Sequence, residues 1–216
     1  MSERPYITLK TPAKAELLVH KSRFIACAAP VSSQDQALQY LHEIKAFYPD
    51  ATHHCYAYIL GSNAGVMRYS DAGEPSGTAG IPILEALKMK GLANVCLAVV
   101  RYFGGTLLGT GGLARAYTKS SVQVLEAADL VMMTPSLRML MNVPYPMWDI
   151  LQRRIADMPV IVEYTVYGAD VRVTLILRQS DAAQVSGNLI QCCEGRAHPE
   201  ILQKDYYAWP FPGDKA

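Results

Sequence analysis

Residues 95–113 read Val95-Cys96-Leu97-Ala98-Val99-Val100-Arg101-Tyr102-Phe103-Gly104-Gly105-Thr106-Leu107-Leu108-Gly109-Thr110-Gly111-Gly112-Leu113, and the way the glycines follow the apolar run decides the fold class. Val95 to Phe103 is a dense apolar run, the composition of a buried strand. A long helix is expected from about Leu113 to Ala128. At about 100° per residue, Leu113, Tyr117, Ser120 and Val124 share one face, while Arg115, Lys119 and Glu126 lie roughly opposite. Between strand and helix, Gly109 to Ala114 satisfies G-x-G-x-x-G/A, the turn of a dinucleotide-binding βαβ unit. Two features reject that reading. Gly104 to Leu108 separate the strand from the first motif glycine, and no second strand ending in an acid follows, because Val122 to Asp129 continues as helix. Nothing in the chain matches the P-loop pattern G-x-x-x-x-G-K-[ST].

Working outward, Glu16 to Val19 and Phe24 to Cys27 read as two short strands joined around Lys21-Ser22-Arg23. Ser33 stands three residues before Gln36, a capping box, and Ala37, Leu41, Ile44 and Tyr48 recur at helical spacing until Pro49. His54 to Leu60 and Val66 to Tyr69 read as strands, and Ile83 to Lys90 as a helix ended by Gly91. From Thr134-Pro135 glycine becomes sparse and a new series begins, which predicts two domains, 1–135 and 136–216. The second series reads strand 136–143, helix 147–157, strand 160–167, strand 171–177, helix 181–194 and a last strand near 200–203. That βαββαβ order predicts a ferredoxin-like domain, a four-stranded sheet with two helices on one face. The fold class is α+β.

The 216 residues are 50% hydrophobic and 18% charged, with 20 Lys+Arg against 19 Asp+Glu, which excludes wholesale disorder and any strong basic excess. The balance is uneven: residues 1–136 hold 12 basic and 10 acidic side chains, the remainder 8 and 9. Near-neutrality thus leaves room for a local phosphate face. No apolar run approaches the roughly 18 residues of a membrane span, and no apolar segment of signal-peptide length separates Arg4, Lys10, Lys14 and Lys21. A cytoplasmic protein with no membrane partner is expected. The five cysteines, at 27, 55, 96, 192 and 193, form no CxxC pair and predict buried, reduced thiols and no metal site.

Chemistry concentrates in two glycine-rich segments. At the first, Gly104, Gly105, Gly109, Gly111 and Gly112 let backbone N–H groups approach a ligand, and the following helix adds its positive end with Arg115 and Lys119, an arrangement suited to phosphate. The same glycines also suit a tight turn and close helix packing. The second, Ser70 to Gly80, holds Asp71 and Glu74, which are candidates for acid–base chemistry or for bracing the loop, with Thr78 as a cap for the next helix. His53 and His54 are adjacent, face opposite sides of a strand and cannot share one ion; one of them is a candidate anion donor near the glycine loops. No nucleophile elbow is present and each cysteine lies in a segment expected to be buried, so no catalytic residue is assigned and no cofactor is expected.

Four blocks, Lys21-Ser22-Arg23-Phe24, His53-His54-Cys55-Tyr56-Ala57, Ser70 to Gly80 and Val99 to Leu113, closely resemble the bacterial YigZ branch of the IMPACT family. The resemblance covers most of the first domain, and by element order it extends to that family's C-terminal domain of unknown function. It implies that the first domain is like the second domain of a small-subunit ribosomal protein and domain IV of the translocating elongation factor. The second is then like that factor's ferredoxin-like domain V. It also implies a role near translation, since eukaryotic relatives regulate translation by competing for the activator of a starvation-responsive initiation-factor kinase. The expected activity is that of a regulator binding RNA, the ribosome or a translation-machinery protein, with Lys21, Arg23, Arg101, Arg115 and Lys119 on phosphates. The alternative is an enzyme acting on a small phosphorylated or carboxylated substrate, with Asp71, Glu74 and His53 or His54 converging on the glycine loop.

Overall fold

The computed structural model describes residues 4–211. By their contacts these form two compact units, one running to Met132 and taking in the segment from Trp209, the other Met133–Ala208.

The first unit runs β1 (Tyr6–Leu9), β2 (Ala13–Val19), β3 (Ser22–Pro30), α1 (Gln34–Phe47), β4 (His53–Leu60), β5 (Val66–Ser70), α2 (Gly80–Met89), β6 (Val95–Tyr102) and α3 (Gly109–Glu126). Five of its strands form an antiparallel sheet in the order β2-β3-β6-β4-β5. Successive side chains leave opposite faces of a strand. Phe24, Ala26 and Ala28 of β3 therefore join a core with α2 and α3, while Ile25 and Cys27 pack toward α1. Burial on both faces explains why β6 is a continuous apolar run rather than an alternating one. As the sequence predicts, Ser33 caps α1, its Oγ accepting the Gln36 N–H at 3.2 Å. Leu113, Tyr117, Ser120 and Val124 form the buried stripe of α3.

Two features of this unit differ from expectation. The strand β1 is too short and irregular in pattern to be read from sequence. Helix α3 begins at Gly109, four residues before Leu113, so the glycines of the supposed loop make the first turn of the helix. Glycine costs about 1 kcal/mol per residue against alanine in a helix interior. The packing of Leu113, Tyr117 and Val124 offsets that cost and draws the helix backward.

The second unit contains most of β7 (Leu130–Val143), then α4 (Tyr145–Ala156), β8 (Val160–Tyr167), β9 (Val171–Arg178), α5 (Ala182–Cys192) and β10 (Glu200–Pro210). β7 pairs antiparallel with β9 and β9 antiparallel with β8, and both β1 and β10 also pair with β7, so the sheet has five strands rather than the four expected from sequence. Leu137, Met139, Met141, Val173, Leu175 and Leu177 face Leu151, Ile155, Val185 and Leu189 of the two helices in one apolar core. The strand predicted from Ser136 starts at Leu130 and passes through Pro135. A proline surrenders only its N–H, and the Pro135 carbonyl still accepts from the Gln179 N–H at 2.9 Å. The last strand is likewise longer than the predicted 200–203.

All five cysteines carry free thiols, and only Cys192 among them is not buried. No helix among the described residues is long and apolar enough to cross a membrane. The chain is thus mixed α and β with antiparallel sheets, consistent with an α+β protein.

Candidate functional site

The loop 71–79 is organised by one carboxylate. Asp71 Oδ1 accepts from the Ala79 and Gly80 N–H groups at 3.0 and 2.8 Å, and Oδ2 from the Gly77 N–H at 2.9 Å. Burial alone would raise the Asp71 pKa, but these three donors outweigh it and hold the carboxyl below its ordinary value. Asp71 therefore satisfies the free N–H groups at the start of α2. Thr78, the cap predicted from sequence, instead donates its hydroxyl to the Pro75 carbonyl at 2.7 Å. Gly80 sits where any Cβ would lie 2.9 Å from the Ser70 carbonyl carbon, so the helix enters against the end of β5 only because the position is glycine.

This loop delivers Glu74 into the protein interior. Its Oε1 accepts from Arg101 Nη1 at 2.7 Å and from the Tyr117 hydroxyl at 2.7 Å, and His53 Nε2 lies 3.9 Å away. The Arg101 and Glu74 side chains are 5% and 3% exposed. The Arg101 guanidinium lies between the rings of Phe24 and Phe103, 5.4 and 5.5 Å from their centroids, and its Nη2 donates to Ser22 Oγ at 3.2 Å. Ser22 Oγ also accepts the Gly104 N–H at 3.2 Å. At Gly104 a Cβ would fall 2.0 Å from the Lys21 carbonyl carbon, so glycine is required for the β6–α3 connection to lie on the β2–β3 turn. The Cys55 thiol is 3.3 Å from the Tyr117 hydroxyl and 3.0 Å from the Asp71 carbonyl.

Burial pushes the Cys55 thiol up to about 12 and the Tyr117 phenol upward as well. Cys55 is therefore a thiol, not a thiolate nucleophile, at neutral pH. Glu74 has its charge matched by Arg101, and both hydrogen bonds it accepts from Arg101 and Tyr117 fall on Oε1. Such an arrangement braces the structure. It ties β3, β4, β6, α3 and the loop 71–79 together at one end of the sheet.

His53, Glu74, Arg101 and Gly104, all candidates by sequence, are brought together here. Arg101 is a candidate phosphate contact by sequence, but its guanidinium is buried and committed to Glu74 and Ser22. His53 is anchored through Nδ1 to the Ala72 carbonyl at 3.0 Å. His54 turns away, its Nε2 at 2.9 Å from the Tyr48 carbonyl at the end of α1. Arg23 is exposed and held in a two-bond pair with Glu16, at 2.6 and 2.8 Å. Lys21, Arg115 and Lys119 are exposed. Arg115 folds back along the first turn of α3, its Nη1 lying 3.5 Å from where a Gly111 Cβ would stand. Gly109 and Gly112 lie in that turn and Gly105 precedes it; Gly105 and Gly109, with φ of +82° and +68°, face open space.

Sequence reasoning missed Tyr117, Cys55 and Ser22 as members of the cluster. One signal was present: a tyrosine on the buried stripe of α3 needs a partner for its hydroxyl, and the acid that supplies it stands in the neighbouring glycine-rich loop.

Residues 20–125, which contain every member of this cluster, match the Impact N-terminal domain. Over 200 residues the chain is 30% identical to an IMPACT family member of Haemophilus influenzae, covering 92% of this chain and 97% of that protein. The chain belongs to the IMPACT family. It is also similar to the IMPACT family member YigZ of Escherichia coli, 32% identical over 179 residues and covering 82% and 88% of the two chains. With the IMPACT family member YvyE of Bacillus subtilis the identity is 47% over 115 residues, and the matched part spans 53% of each chain. A crystal structure described as that of a hypothetical protein superposes with a TM-score of 0.61 at 29% identity, covering 94% of this chain and 99% of the other. The buried Glu74–Arg101–Tyr117 brace is therefore part of the IMPACT N-terminal domain of this chain.

Proposed function

We propose that this IMPACT family member is a translation-linked regulator that binds RNA or the ribosome through phosphate contacts. The observation that carries the reading is the division of labour on α3. Tyr117 is consumed in the buried brace around Glu74, while Arg115 and Lys119 on the same helix face outward beside the glycine-rich first turn. A fixed helix end with exposed cations suits a phosphate backbone. Lys21, on the turn that Gly104 abuts, extends this rim, and Arg23 joins it by exchanging Glu16 for a phosphate.

The pairing of β7 with β9 and with β10, and of β9 with β8, with α4 and α5 in one core, supports a ferredoxin-like second domain. Together with the three-layered first unit it supports the likeness to elongation-factor domains IV and V. That likeness favours a ribosomal or RNA partner in the cytoplasm.

The test is binding of single-stranded RNA and of ribosomes across a salt series, for the parent and for Arg115→Ala/Lys119→Ala. Two lost phosphate contacts flatten the log–log salt slope on a single strand by about 1.4 and weaken binding at every salt. An unchanged slope and affinity overturn the reading. Ribosome binding that survives nuclease treatment and the double substitution points instead to a translation-machinery protein as the partner.

A further inference from the structure

We propose that the cleft between α1 and β4 binds a small organic anion, a carboxylate or phosphate ester carrying a short apolar body. This site is separate in residues and chemistry from the α3 rim. The cavity has a volume of about 320 Å³, at the lower end of small-molecule sites and right for a compact ligand rather than a polymer. Leu41 and Ile44 of α1 give it an apolar wall. No aspartate or glutamate lines it.

Three of the polar side chains that line it can donate. Lys45 stands at the edge of the cleft, exposed and with no ion-pair partner among the described residues. The Thr52 Oγ1 accepts the Phe103 N–H at 3.1 Å, which leaves its own O–H to donate. The Tyr56 hydroxyl makes no hydrogen bond within the described residues, although burial raises its pKa and keeps it a donor. The adjacent His54 ring is held in place by the Tyr48 carbonyl, and so presents a fixed surface rather than a mobile one. A cation, two hydroxyl donors and an apolar wall line one cavity that no aspartate or glutamate among the described residues lines. An anion with a small hydrophobic body satisfies all four, and a neutral or cationic molecule leaves Lys45 without a counter-charge.

The test is an NMR titration of the full chain with three probes of similar shape: benzoate, phenyl phosphate and the neutral benzamide. Saturable amide shifts at Lys45, Thr52, His54 and Ala72 are expected with at least one anion and not with benzamide. Lys45→Gln, an exposed substitution that leaves the fold intact, is expected to weaken that binding about tenfold, the loss of one charge-assisted contact. Three outcomes overturn the proposal: no saturable shift at these residues with either anion, an equal response to benzamide, or unchanged affinity in Lys45→Gln. RNA binding at the α3 rim is expected to be the same in parent and Lys45→Gln, so the two readings fail separately.

Discussion

Two arginine–glutamate pairs, one in each unit, have nearly the same length and very different surroundings. Arg101–Glu74 spans 2.7 Å with both side chains almost fully buried, whereas Arg138–Glu163 spans 2.6 Å with side chains 29% and 24% exposed. Distance alone would rank them equal. Water access separates them, because a buried charge that loses its partner has nothing to solvate it, while a half-exposed one turns to solvent. The first pair is a fastening inside the sheet's end; the second lies on β7 and β8 beside a core that is apolar without it.

Substitutions that remove one partner sharpen this contrast. Glu74→Gln has the largest expected effect, a loss of about 3–5 kcal/mol, because Arg101 is left buried and uncompensated. Chemical denaturation measures it, and a loss below about 1 kcal/mol would break the comparison. Asp71→Ala comes next, at about 1–2 kcal/mol, through the three backbone N–H groups it satisfies. Its pH dependence carries a sign. The Asp71 carboxyl is lowered by folding, so its contribution is complete above the ordinary value of 3.8 and declines as the pH falls through the lower folded value. The stability gap between parent and Asp71→Ala is therefore expected to be flat near neutrality and to close in acid, and a gap that widens in acid would refute this account. Glu163→Gln is expected to cost less than about 1 kcal/mol, and less again in high salt. Arg115→Ala/Lys119→Ala is expected to leave stability within about 0.5 kcal/mol while weakening RNA or ribosome binding. A drop in stability comparable to that of Glu74→Gln would mean that these cations hold the fold rather than a ligand.

The legible and illegible parts of the molecule divide along physical lines. Periodic features were readable: the capped α1, the buried stripe of α3 with its opposing charges, the βαββαβ order of the second unit. Each rests on spacing within one segment. The start of α3 at Gly109 and the passage of β7 through Pro135 were not, since both go against local propensity and are decided by what the segment packs against. At the site, the candidates named from sequence concentrate in the glycine-rich segments, and the structure brings His53, Glu74, Arg101 and Gly104 together. Yet Arg101 was read as a ligand contact, because nothing in its neighbours along the chain reveals that Glu74, 27 positions earlier, reaches it. His53 and His54 were indistinguishable until the Ala72 and Tyr48 carbonyls gave each its direction.

The segment 95–113, with the helical run that continues to Asp129, determined that the protein is not a dinucleotide-binding fold, and Val99 to Leu113 with the other three blocks determined the family resemblance. Those conclusions depend on residue types at fixed spacing. Only the tertiary structure decided which charges are spent internally and which are left exposed. Arg101 and Arg115 are both cations beside glycines, and sequence treats them alike. The sheet's end encloses the first with Glu74, Tyr117 and two aromatic rings, where an unpaired charge is too costly to leave, and leaves the second exposed to water, which solvates its charge without a partner.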